Sequence, residues 1–264
     1  MSDTLAGVAL AAGSGTRLRP LTNLRPKALC PVGNVPLLAH ALTRMRPHTG
    51  EGSAHMAVNA HHLASQILAY AGDRAHTVVE QPTASGTAGA LGGLRDWLDG
   101  RDVLVTNSDA YLPDGLASLV AGWDRHRCRL LVVAATARAD FTDAVGPVRY
   151  VGACLLPWRL VATLEAVPSG LYEVLWRGEH AAGRLDLVRT DGTAIDCGTP
   201  ADYLRANLHA SRGRPVIGTG AVVCGRVERS VVWDDAYVGP DEHLTYCIRA
   251  GTRNTPLTVS ARPG

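Results

Sequence analysis

Short apolar segments alternate with segments of helical periodicity through the first half of this chain of 264 residues. The strand-like segments are 5–13, 54–60, 76–81, 102–112 and 129–137. The helix-like segments that follow them are 35–48, 61–72, the glycine-rich 83–98, and 116–126. This alternation is typical of β-α-β units, and it predicts an α/β fold with a mixed, mostly parallel sheet and helices on both faces.

Polar residues and glycines follow several of the predicted strands. The stretches concerned are Gly13 to Arg17, Gln81, Asn107 to Asp109, and Asp196. Ligands of sheets of this kind bind at the carboxyl ends of the strands. We therefore expect these residues to form one site.

The stretch LAAGSGTRLRPLTNLRPKALCPV, residues 10–32, combines a glycine-rich turn with a dense set of cations. A Gly-Ser-Gly turn directly after a strand is typical of a loop whose backbone amides face an anion. A plain strand-to-helix turn would contain the same glycines, and a dinucleotide fingerprint would need a third one. The fifteen residues from Gly13 onwards also contain Arg17, Arg19, Arg25 and Lys27. That density of charge favours a triphosphate ligand over a plain turn.

Lys27 is the only lysine among the 26 lysine and arginine residues of the chain. An ammonium group is a compact point charge, whereas a guanidinium group is a planar fork. A lysine beside a reacting phosphate would explain why this position is not arginine. Chance survival of a lysine on a surface loop is the alternative.

The segment LAAGSGTRLRPLTNLRPKALCPVGNVPLL resembles the signature of the sugar-1-phosphate nucleotidyltransferases. The resemblance continues through VNAHHLASQI, EQPTASGTAGAL, VLVTNSDAYL and IDCGTPADYLRAN, and covers roughly residues 5–210. It implies a Rossmann-like fold of the nucleotide-diphospho-sugar transferase type. The implied reaction joins a nucleoside triphosphate (NTP) to a sugar 1-phosphate and releases pyrophosphate. The SGTAGAL segment looks most like guanylyltransferases that act on mannose 1-phosphate, although uridylyl and thymidylyl members share much of the pattern.

The resemblance also assigns roles to individual positions. Arg17 and Lys27 are the implied catalytic residues: Arg17 would hold the β- and γ-phosphates, and Lys27 would lie beside the α-phosphate and the incoming sugar phosphate. The implied nucleotide-binding residues are Leu10, Ala11, Ala12, Gly13, Ser14, Gly15, Thr16, Gln81, Gly86, Thr87 and Asn107. Ser108 stands where the family usually has glycine, and we expect a mild local distortion there.

Asp109 and Asp196 are the implied ligands of one Mg²⁺ ion. The chemistry agrees, because Mg²⁺ takes oxygen ligands and is usually held by one or two carboxylates together with substrate phosphates. For each aspartate, an ordinary turn residue is the alternative.

The sugar half of the resemblance is weaker. Gly152 and Glu173 resemble substrate-binding positions, but the family's Glu-Lys-Pro segment is missing from residues 136–157. Arg138 or Arg149 could replace its lysine, and the sequence does not choose between them. This gap leaves a second hypothesis open, a catalytically silent regulatory subunit that binds a nucleotide sugar. An unusual sugar or cyclitol phosphate is also open as the substrate.

After Arg212 the sequence changes texture, with branched apolar residues every few positions and glycines at turns. This pattern predicts a short left-handed β-helix-like segment of hexapeptide type. We divide the chain into a nucleotidyltransferase domain, 1–212, and this tail, 213–264. We expect the tail to pack on the main domain or on a partner, its residues 258–264 to be loose, and its repeat edge to allow a homo-oligomer.

Composition excludes several classes of protein. The formal net charge is +2, and acidic and basic residues are interspersed without a long run of one sign. We therefore expect that the protein binds neither a nucleic acid nor a membrane surface. No apolar stretch reaches the roughly 18 residues that a transmembrane helix needs. Six scattered cysteines fit no zinc pattern and indicate reduced thiols, so we expect a cytoplasmic protein. The adjacent His61 and His62 have no third ligand at useful spacing and do not predict a metal site.

Overall fold

An eight-stranded mixed sheet forms the centre of the protein, in a computed structural model that describes residues 5–262. The strands are β1 Ala6–Leu10, β2 Pro31–Val32, β3 Val35–Pro36, β4 Met56–Ala60, β5 His76–Val79, β6 Val103–Asn107, β7 Ala110–Tyr111, β8 Cys128–Ala134, β9 Phe141–Thr142, β10 Pro147–Leu156, β11 Leu185–Arg189, β12 Ile195–Asp196, β13 Val216–Ile217, β14 Val222–Val223, β15 Arg226–Glu228, β16 Val231–Val232, β17 Tyr237–Val238, β18 His243–Thr245, β19 Cys247–Gly251 and β20 Pro256–Ser260. The helices are α1 Leu37–Thr49, α2 Ala64–Ala71, α3 Gly86–Gly93, α4 Arg95–Leu98, α5 Ala117–Val120, α6 Trp158–Val161, α7 Arg177–Ala181 and α8 Pro200–Ala210. Short 3-10 turns and one π-helical turn, Tyr172–Trp176, connect some of these elements.

The central sheet has the strand order β11–β8–β10–β6–β1–β4–β5, with β9 paired to β10. The pairs β1–β4, β1–β6, β4–β5 and β8–β11 are parallel. Strand β10 runs antiparallel to β6, β8 and β9. The predicted mixed, mostly parallel sheet is therefore confirmed.

Both faces of the sheet are covered, as predicted. Because side chains alternate along a strand, Leu104 of β6 joins one hydrophobic cluster, whereas Val103 and Val105 join the other. The first cluster contains buried side chains of α1, α2 and α5, and the second contains those of α3, α4 and α6. Each fully buried leucine in these layers contributes about 2 kcal/mol of transfer free energy.

Helix α1 follows the predicted pattern closely. It covers Leu37–Thr49 against a predicted 35–48. The helical spacing of five apolar residues predicts one buried face, and all five are buried: Leu37, Leu38, Ala41, Leu42 and Met45. It ends at Gly50, whose φ of 91° suits glycine. Arg44 is also buried on this helix, which the apolar spacing did not predict.

The register of the parallel strands places three predicted strand ends side by side. Leu10 of β1 is paired with Asn59 of β4 on one side and with Asn107 of β6 on the other. On the far side of β6, Thr106 is paired with Ala153 of the antiparallel β10, beside Gly152. Residues far apart in the sequence therefore meet at one edge of the sheet.

The tail forms a β-helix-like coil. Strands β13, β16 and β19 pair in parallel, as do β14 with β17 and β15 with β18. Strand β20 then turns back antiparallel to β19. The predicted β-helix-like character of the tail is confirmed.

The tail packs on the main domain through one hydrophobic cluster that contains Leu18, Leu21, Tyr203 and Trp233. The indole Nε1 of Trp233 donates to the Tyr203 hydroxyl at 3.0 Å, and that hydroxyl donates to the carbonyl of Pro31. The predicted division after residue 212 falls between α8 and β13. Residues 1–4 and 263–264 of the two predicted segments lie outside the described residues.

Two local expectations were wrong. The helix predicted at 116–126 covers only Ala117–Val120. Gly122 after it has a φ of 60°, which is not helical, and the carboxylate of Asp124 accepts the amides of His126 and Arg127 in a turn. The segment 258–260, expected to be loose, belongs to β20, and Ala261 after it is buried.

Within residues 5–262, no helix is long and apolar enough to cross a membrane. The six cysteines are free thiols, four of them buried. Burial raises the pKa of the Cys30 thiol to about 12, which indicates a packed side chain rather than a reactive one.

Candidate active site

The loop after β1 is open on the side where an anion would bind. A Cβ added at Gly13 would meet no atom within 4 Å, and within residues 5–262 the amides of Gly13 and Ser14 have no hydrogen-bond acceptor. Gly15 has a φ of 60°, and a Cβ there would approach Thr22 Cγ2 to 2.8 Å. The Thr22 hydroxyl donates to the Gly15 carbonyl at 2.9 Å and holds this turn. Gly13 therefore leaves room for an anion to approach the loop amides, whereas Gly15 allows the backbone to turn.

A buried Asn59–Glu80 pair, which the sequence analysis missed, supports this loop. The Asn59 side chain accepts the Ala11 amide at 2.6 Å and donates to a Glu80 carboxylate oxygen at 2.8 Å. The other Glu80 oxygen accepts the Ser85 amide at 2.6 Å. The loops after β1 and β5 are thus tied together under the site. The sequence feature that could have identified this pair is that Asn59 and Glu80 both lie near the ends of predicted strands.

The loop between β6 and β7 carries Asn107, Ser108 and Asp109. The buried Ser108 donates both its amide and its hydroxyl to the Leu10 carbonyl, at 3.0 and 2.7 Å. This serine therefore links the ends of β6 and β1 in place of the usual glycine.

Arg44 of α1 holds the same loop from beneath. Its guanidinium donates to the carbonyls of Asn107 (2.7 Å) and Ala110 (2.8 Å) and to the Thr106 hydroxyl (3.0 and 2.7 Å). Burial lowers the pKa of Arg44 to about 10, opposed mainly by the charge of Asp109. Arg44 therefore remains a cation at neutral pH. The sequence analysis missed it, because a charged residue on a helix is usually solvated.

Asp109 and Asp196 are brought together by a small two-stranded sheet. Asp196 of β12 is paired with Ala110 of β7, and the Cys197 amide donates to the Asp109 carbonyl at 3.0 Å. Both carboxylates retain exposure, with 34% and 50% of their side-chain surfaces open. Two acidic side chains predicted to share a metal are therefore neighbours on a common backbone support.

Lys27 lies between these carboxylates. Its Nζ is 2.6 Å from Asp109 Oδ2 and 3.4 Å from Asp196 Oδ1, and the lysine is only 7% exposed. Burial alone would lower the pKa of Lys27, but the charge and hydrogen bond of Asp109, with the charge of Asp196, outweigh it and raise the pKa. Lys27 is therefore a cation across the neutral range.

Arg17 completes the group from the solvent side. Its guanidinium lies 3.6 Å from the Asp196 carboxylate, and 67% of its side-chain surface is exposed. A Cβ added at Gly198 would come within 2.7 Å of the Arg17 guanidinium. This small residue leaves room for the arginine to lie against Asp196.

The donor set at this point fits one Mg²⁺ ion. Two carboxylates on a fixed support supply oxygen ligands, and Mg²⁺ usually completes its shell with phosphate oxygens and water. Within residues 5–262, no group of three or more His, Cys, Asp or Glu side chains could hold a metal, so an ion here would depend on the substrate for its remaining ligands. His61 and His62 each contact a backbone carbonyl instead, those of Glu80 and Thr22.

Two cavities meet at Asn107 and Asp109. The first, about 220 Å³, we call the loop cavity; it is lined by Leu10, Ala12, Gly13, Asn59, Ala84, Gly86, Thr87, Asn107 and Asp109. The second, about 280 Å³, we call the acidic cavity; it is lined by Arg17, Asn107, Asp109, Ala110, Arg149, Tyr150, Val151, Gly152, Ala194, Ile195 and Asp196. A larger hollow of about 520 Å³ between α1 and α2 contains none of the predicted site residues.

Among the remaining predicted nucleotide contacts, Gly86 and Thr87 line the loop cavity, whereas Gln81 lies outside its lining. Gly86 has a φ of 69°, and a Cβ there would clash with the Ser169 carbonyl, so this glycine is needed for packing as well. The Thr87 hydroxyl accepts the Leu171 amide at 2.8 Å. Gln81 is exposed and lines neither cavity. Its predicted contact with a base stays a prediction.

The two predicted sugar residues are in different places. Gly152, with a φ of 91° at an irregularity of β10, lines the acidic cavity. Glu173 lies in a third cavity of about 300 Å³, the aromatic cavity, lined by Arg138, Ala139, Asp140, Phe141, Tyr150, Tyr172, Glu173 and Trp176. Tyr150 lines both this cavity and the acidic one. The sugar-binding role of both residues stays a prediction.

Comparisons with known proteins agree with this geometry. Residues 6–143 match a family model described as Nucleotidyl transferase. The chain is 30% identical over 229 residues to the N-acetylmuramate alpha-1-phosphate uridylyltransferase of Caulobacter vibrioides, which covers 75% of this chain and 93% of that relative. It is 31% identical over 274 residues to the mannose-1-phosphate guanylyltransferase of Mycobacterium tuberculosis, which covers 88% of this chain and 71% of that relative. A crystal structure described as a mannose-1-phosphate geranyltransferase from Thermus thermophilus superposes with a TM-score of 0.70 at 17% identity, covering 98% of this chain and 95% of that one, and shows the shared fold.

Proposed function

This chain belongs to the nucleotidyl transferase family, and from that premise we propose that it transfers a nucleotidyl group from GTP to mannose 1-phosphate or a related sugar or cyclitol phosphate. The products are an NDP-sugar and pyrophosphate. The observation that carries the proposal is the position of Lys27. Its Nζ is within 3.4 Å of Asp109, which lines both cavities, and of Asp196, which lines the acidic cavity.

The two cavities divide the substrates between them. The loop cavity takes the nucleoside and leads the triphosphate along the free amides of Gly13 and Ser14. The acidic cavity takes the sugar 1-phosphate. Asn107 and Asp109 line both cavities, so the α-phosphate and the acceptor phosphate meet beside them.

The reaction needs no protein nucleophile. An ionised oxygen of the sugar phosphate forms a bond to the α-phosphorus, while the bond from that phosphorus to the pyrophosphate oxygen breaks. The protein positions the two reactants and neutralises the charge that develops between them. Lys27, held as a cation by its neighbours, donates to the oxygens of the reacting phosphates, and the exposed Arg17 accompanies the leaving pyrophosphate.

Asp109 and Asp196 are the residues that would hold Mg²⁺ in this proposal. When bound, the ion supplies further neutralisation of the triphosphate charge. Arg44, Thr106 and Ser108 keep the Asp109 loop in place through their hydrogen bonds.

The nucleotide has a second candidate. The Caulobacter vibrioides relative is a uridylyltransferase, and its alignment with this chain covers 93% of its length, more than the guanylyltransferase alignment covers of its own. UTP with a sugar 1-phosphate is therefore the alternative pair. The silent regulatory subunit considered from the sequence is not supported, because the chain belongs to a family of enzymes and retains both cations and both carboxylates of the site.

Two broader expectations remain part of the proposal. The free thiols of the six cysteines support a cytoplasmic location. A homo-oligomer through the tail is supported by the exposed Val222 and Val223 on β14.

The decisive experiment is a pyrophosphate-release screen. GTP, UTP, dTTP, CTP and ATP are crossed with a panel of sugar and cyclitol 1-phosphates, with Mg²⁺ and with EDTA. We expect release that requires Mg²⁺, one nucleotide and one acceptor. Nucleotide binding without release from any acceptor would refute the proposed activity.

A Lys27→Met variant tests the residue that carries the proposal. We expect its turnover to fall by at least about a hundredfold, the scale of losing one charge-stabilising group. Lys27→Arg serves as the matched control, since it keeps the charge but not the compact shape, and it should recover only part of the rate. A Lys27→Met enzyme with near wild-type turnover would contradict the role given to this residue.

A further inference from the structure

Two arginines, Arg17 and Arg149, and two carboxylates, Asp109 and Asp196, line the acidic cavity, and Lys27 adds a third cation by contacting both carboxylates. Two of the cations are already paired: Arg17 with Asp196, and Lys27 with Asp109 and Asp196. The remaining one, Arg149, has no hydrogen bond or ion pair from its side chain to any of residues 5–262. Arg149 is therefore a half-buried residue on the cavity wall whose guanidinium has no counter-ion among the described residues.

A cation in such a place favours an anionic ligand. Withdrawal of a charge from water is unfavourable unless a partner replaces the lost hydration. A guanidinium is planar and offers paired donors that match two oxygens of a phosphate. Because cations outnumber carboxylates around the acidic cavity, one further anion there would be attracted rather than repelled.

The strand order shows where an anion bound by Arg149 would lie relative to the Gly13 loop. Arg149 lies on β10, three positions before Gly152, and β6 separates β10 from β1. The open Gly13 loop follows β1. An anion bound by Arg149 is therefore on the opposite side of Asp109 from one bound by the Gly13 loop.

We propose that Arg149 binds the phosphate of the acceptor sugar 1-phosphate and sets its position against the reacting nucleotide. This inference rests on the proposed function, which supplies the acceptor. The contrast with Arg138 supports it: Arg138 lies in the aromatic cavity, which contains neither Asp109 nor Asp196. Arg138 is therefore the natural control for any effect of removing an arginine from this region.

The experiment compares Arg149→Gln, Arg149→Lys and Arg138→Gln with the unchanged enzyme, using the substrate pair selected by the pyrophosphate screen. We expect Arg149→Gln to raise the KM for the sugar 1-phosphate by about tenfold to a hundredfold, the range for losing hydrogen bonds to a charged group. Its KM for the nucleotide should change less than about threefold, because the triphosphate lies beyond Asp109. The KM of Arg149→Lys for the sugar 1-phosphate should lie between those of Arg149→Gln and the unchanged enzyme. Arg138→Gln should have the same KM values as the unchanged enzyme.

A second measurement is independent of turnover. Inorganic phosphate and α-D-mannose 1-phosphate are titrated calorimetrically into the unliganded enzyme and into Arg149→Gln, with circular dichroism to check folding. Weaker binding of both probes to the variant would support the proposal. Equal binding, or equal increases in the two KM values, would overturn it. If the screen finds no turnover at all, the proposed function fails, while this titration still decides whether Arg149 holds a phosphate.

Discussion

The Thr106 hydroxyl joins α1, β6 and β10, and its removal should be costly. It accepts from Arg44 Nε at 3.0 Å and Nη2 at 2.7 Å, and it donates to the Gly152 carbonyl at 3.1 Å. Thr106 is fully buried, so water cannot replace these bonds. Thr106→Val keeps the shape of the side chain and removes only the hydroxyl.

The expected loss follows from the bonds affected. Nη2 keeps a second acceptor, the Asn107 carbonyl at 2.7 Å, whereas Nε and the Gly152 carbonyl lose the only side-chain partner that they have within residues 5–262. A hydrogen bond to a charged group contributes about 1.5–3 kcal/mol and a neutral one about 1 kcal/mol. We therefore expect the free energy of unfolding to fall by about 2–4 kcal/mol, and Tm by roughly 5–15 °C in a chain of this size.

Urea unfolding followed by circular dichroism measures this difference, with Thr106→Ser as the matched control. The serine keeps the hydroxyl and loses one methyl group, so its free energy of unfolding should fall by only about 1 kcal/mol. The reasoning is refuted if Thr106→Val lies within about 0.5 kcal/mol of the unchanged protein, or if serine and valine are equally destabilising.

Three further predictions concern other parts of the fold. Gly86→Ala should destabilise by about 1–3 kcal/mol in urea unfolding, because a Cβ there meets the Ser169 carbonyl at a φ of 69°; Gly93→Ala, which meets open space, should have no such cost. Burial lowers the pKa of His40 below its usual 6.5, and the charge of Arg44 acts in the same direction. The unfolded chain therefore takes up the His40 proton first, and stability measured by thermal unfolding should decline as the pH falls below about 6.5 and decline less in His40→Gln. Lys27→Met should bind Mg²⁺ about tenfold more tightly without nucleotide, measured by calorimetry, because no ammonium competes for the two carboxylates; unchanged affinity would argue against a shared site.

The sequence predicted those parts of the site that follow from strand ends. Apolar runs located β1 and β6, and polar residues after them located the Gly13 loop and Asp109, because parallel strands share one carboxyl edge. The spacing of five apolar residues likewise predicted α1. These are local patterns, and burial on one face is enough to produce them.

The supporting residues could not be predicted in the same way. Arg44 lies on a helix among apolar neighbours, and only the fold shows that its guanidinium reaches the carbonyl of Asn107. The sequence left Arg138 and Arg149 as equivalent, because the path of β10 past the site depends on its antiparallel pairing with β6 and its irregularity near Gly152. The early end of α5 is followed by the positive φ of Gly122 and by the turn at Asp124, and apolar spacing indicates neither of them.

The packing of the tail has a consequence for the order in which the protein becomes functional during its synthesis. The Gly13–Lys27 segment leaves the ribosome early, yet the Arg25 guanidinium stacks at 4.4 Å over the ring of Trp233 and lies 3.7 Å from Asp234. Leu18 and Leu21 share a hydrophobic cluster with the same tryptophan. The first part of the site to be made is therefore among the last to be completed. A nascent chain that stops before residue 233 lacks Trp233, Ile248, Ala250 and Ala261 of this cluster, so such fragments should be substrates for chaperones or proteases rather than partly active enzymes.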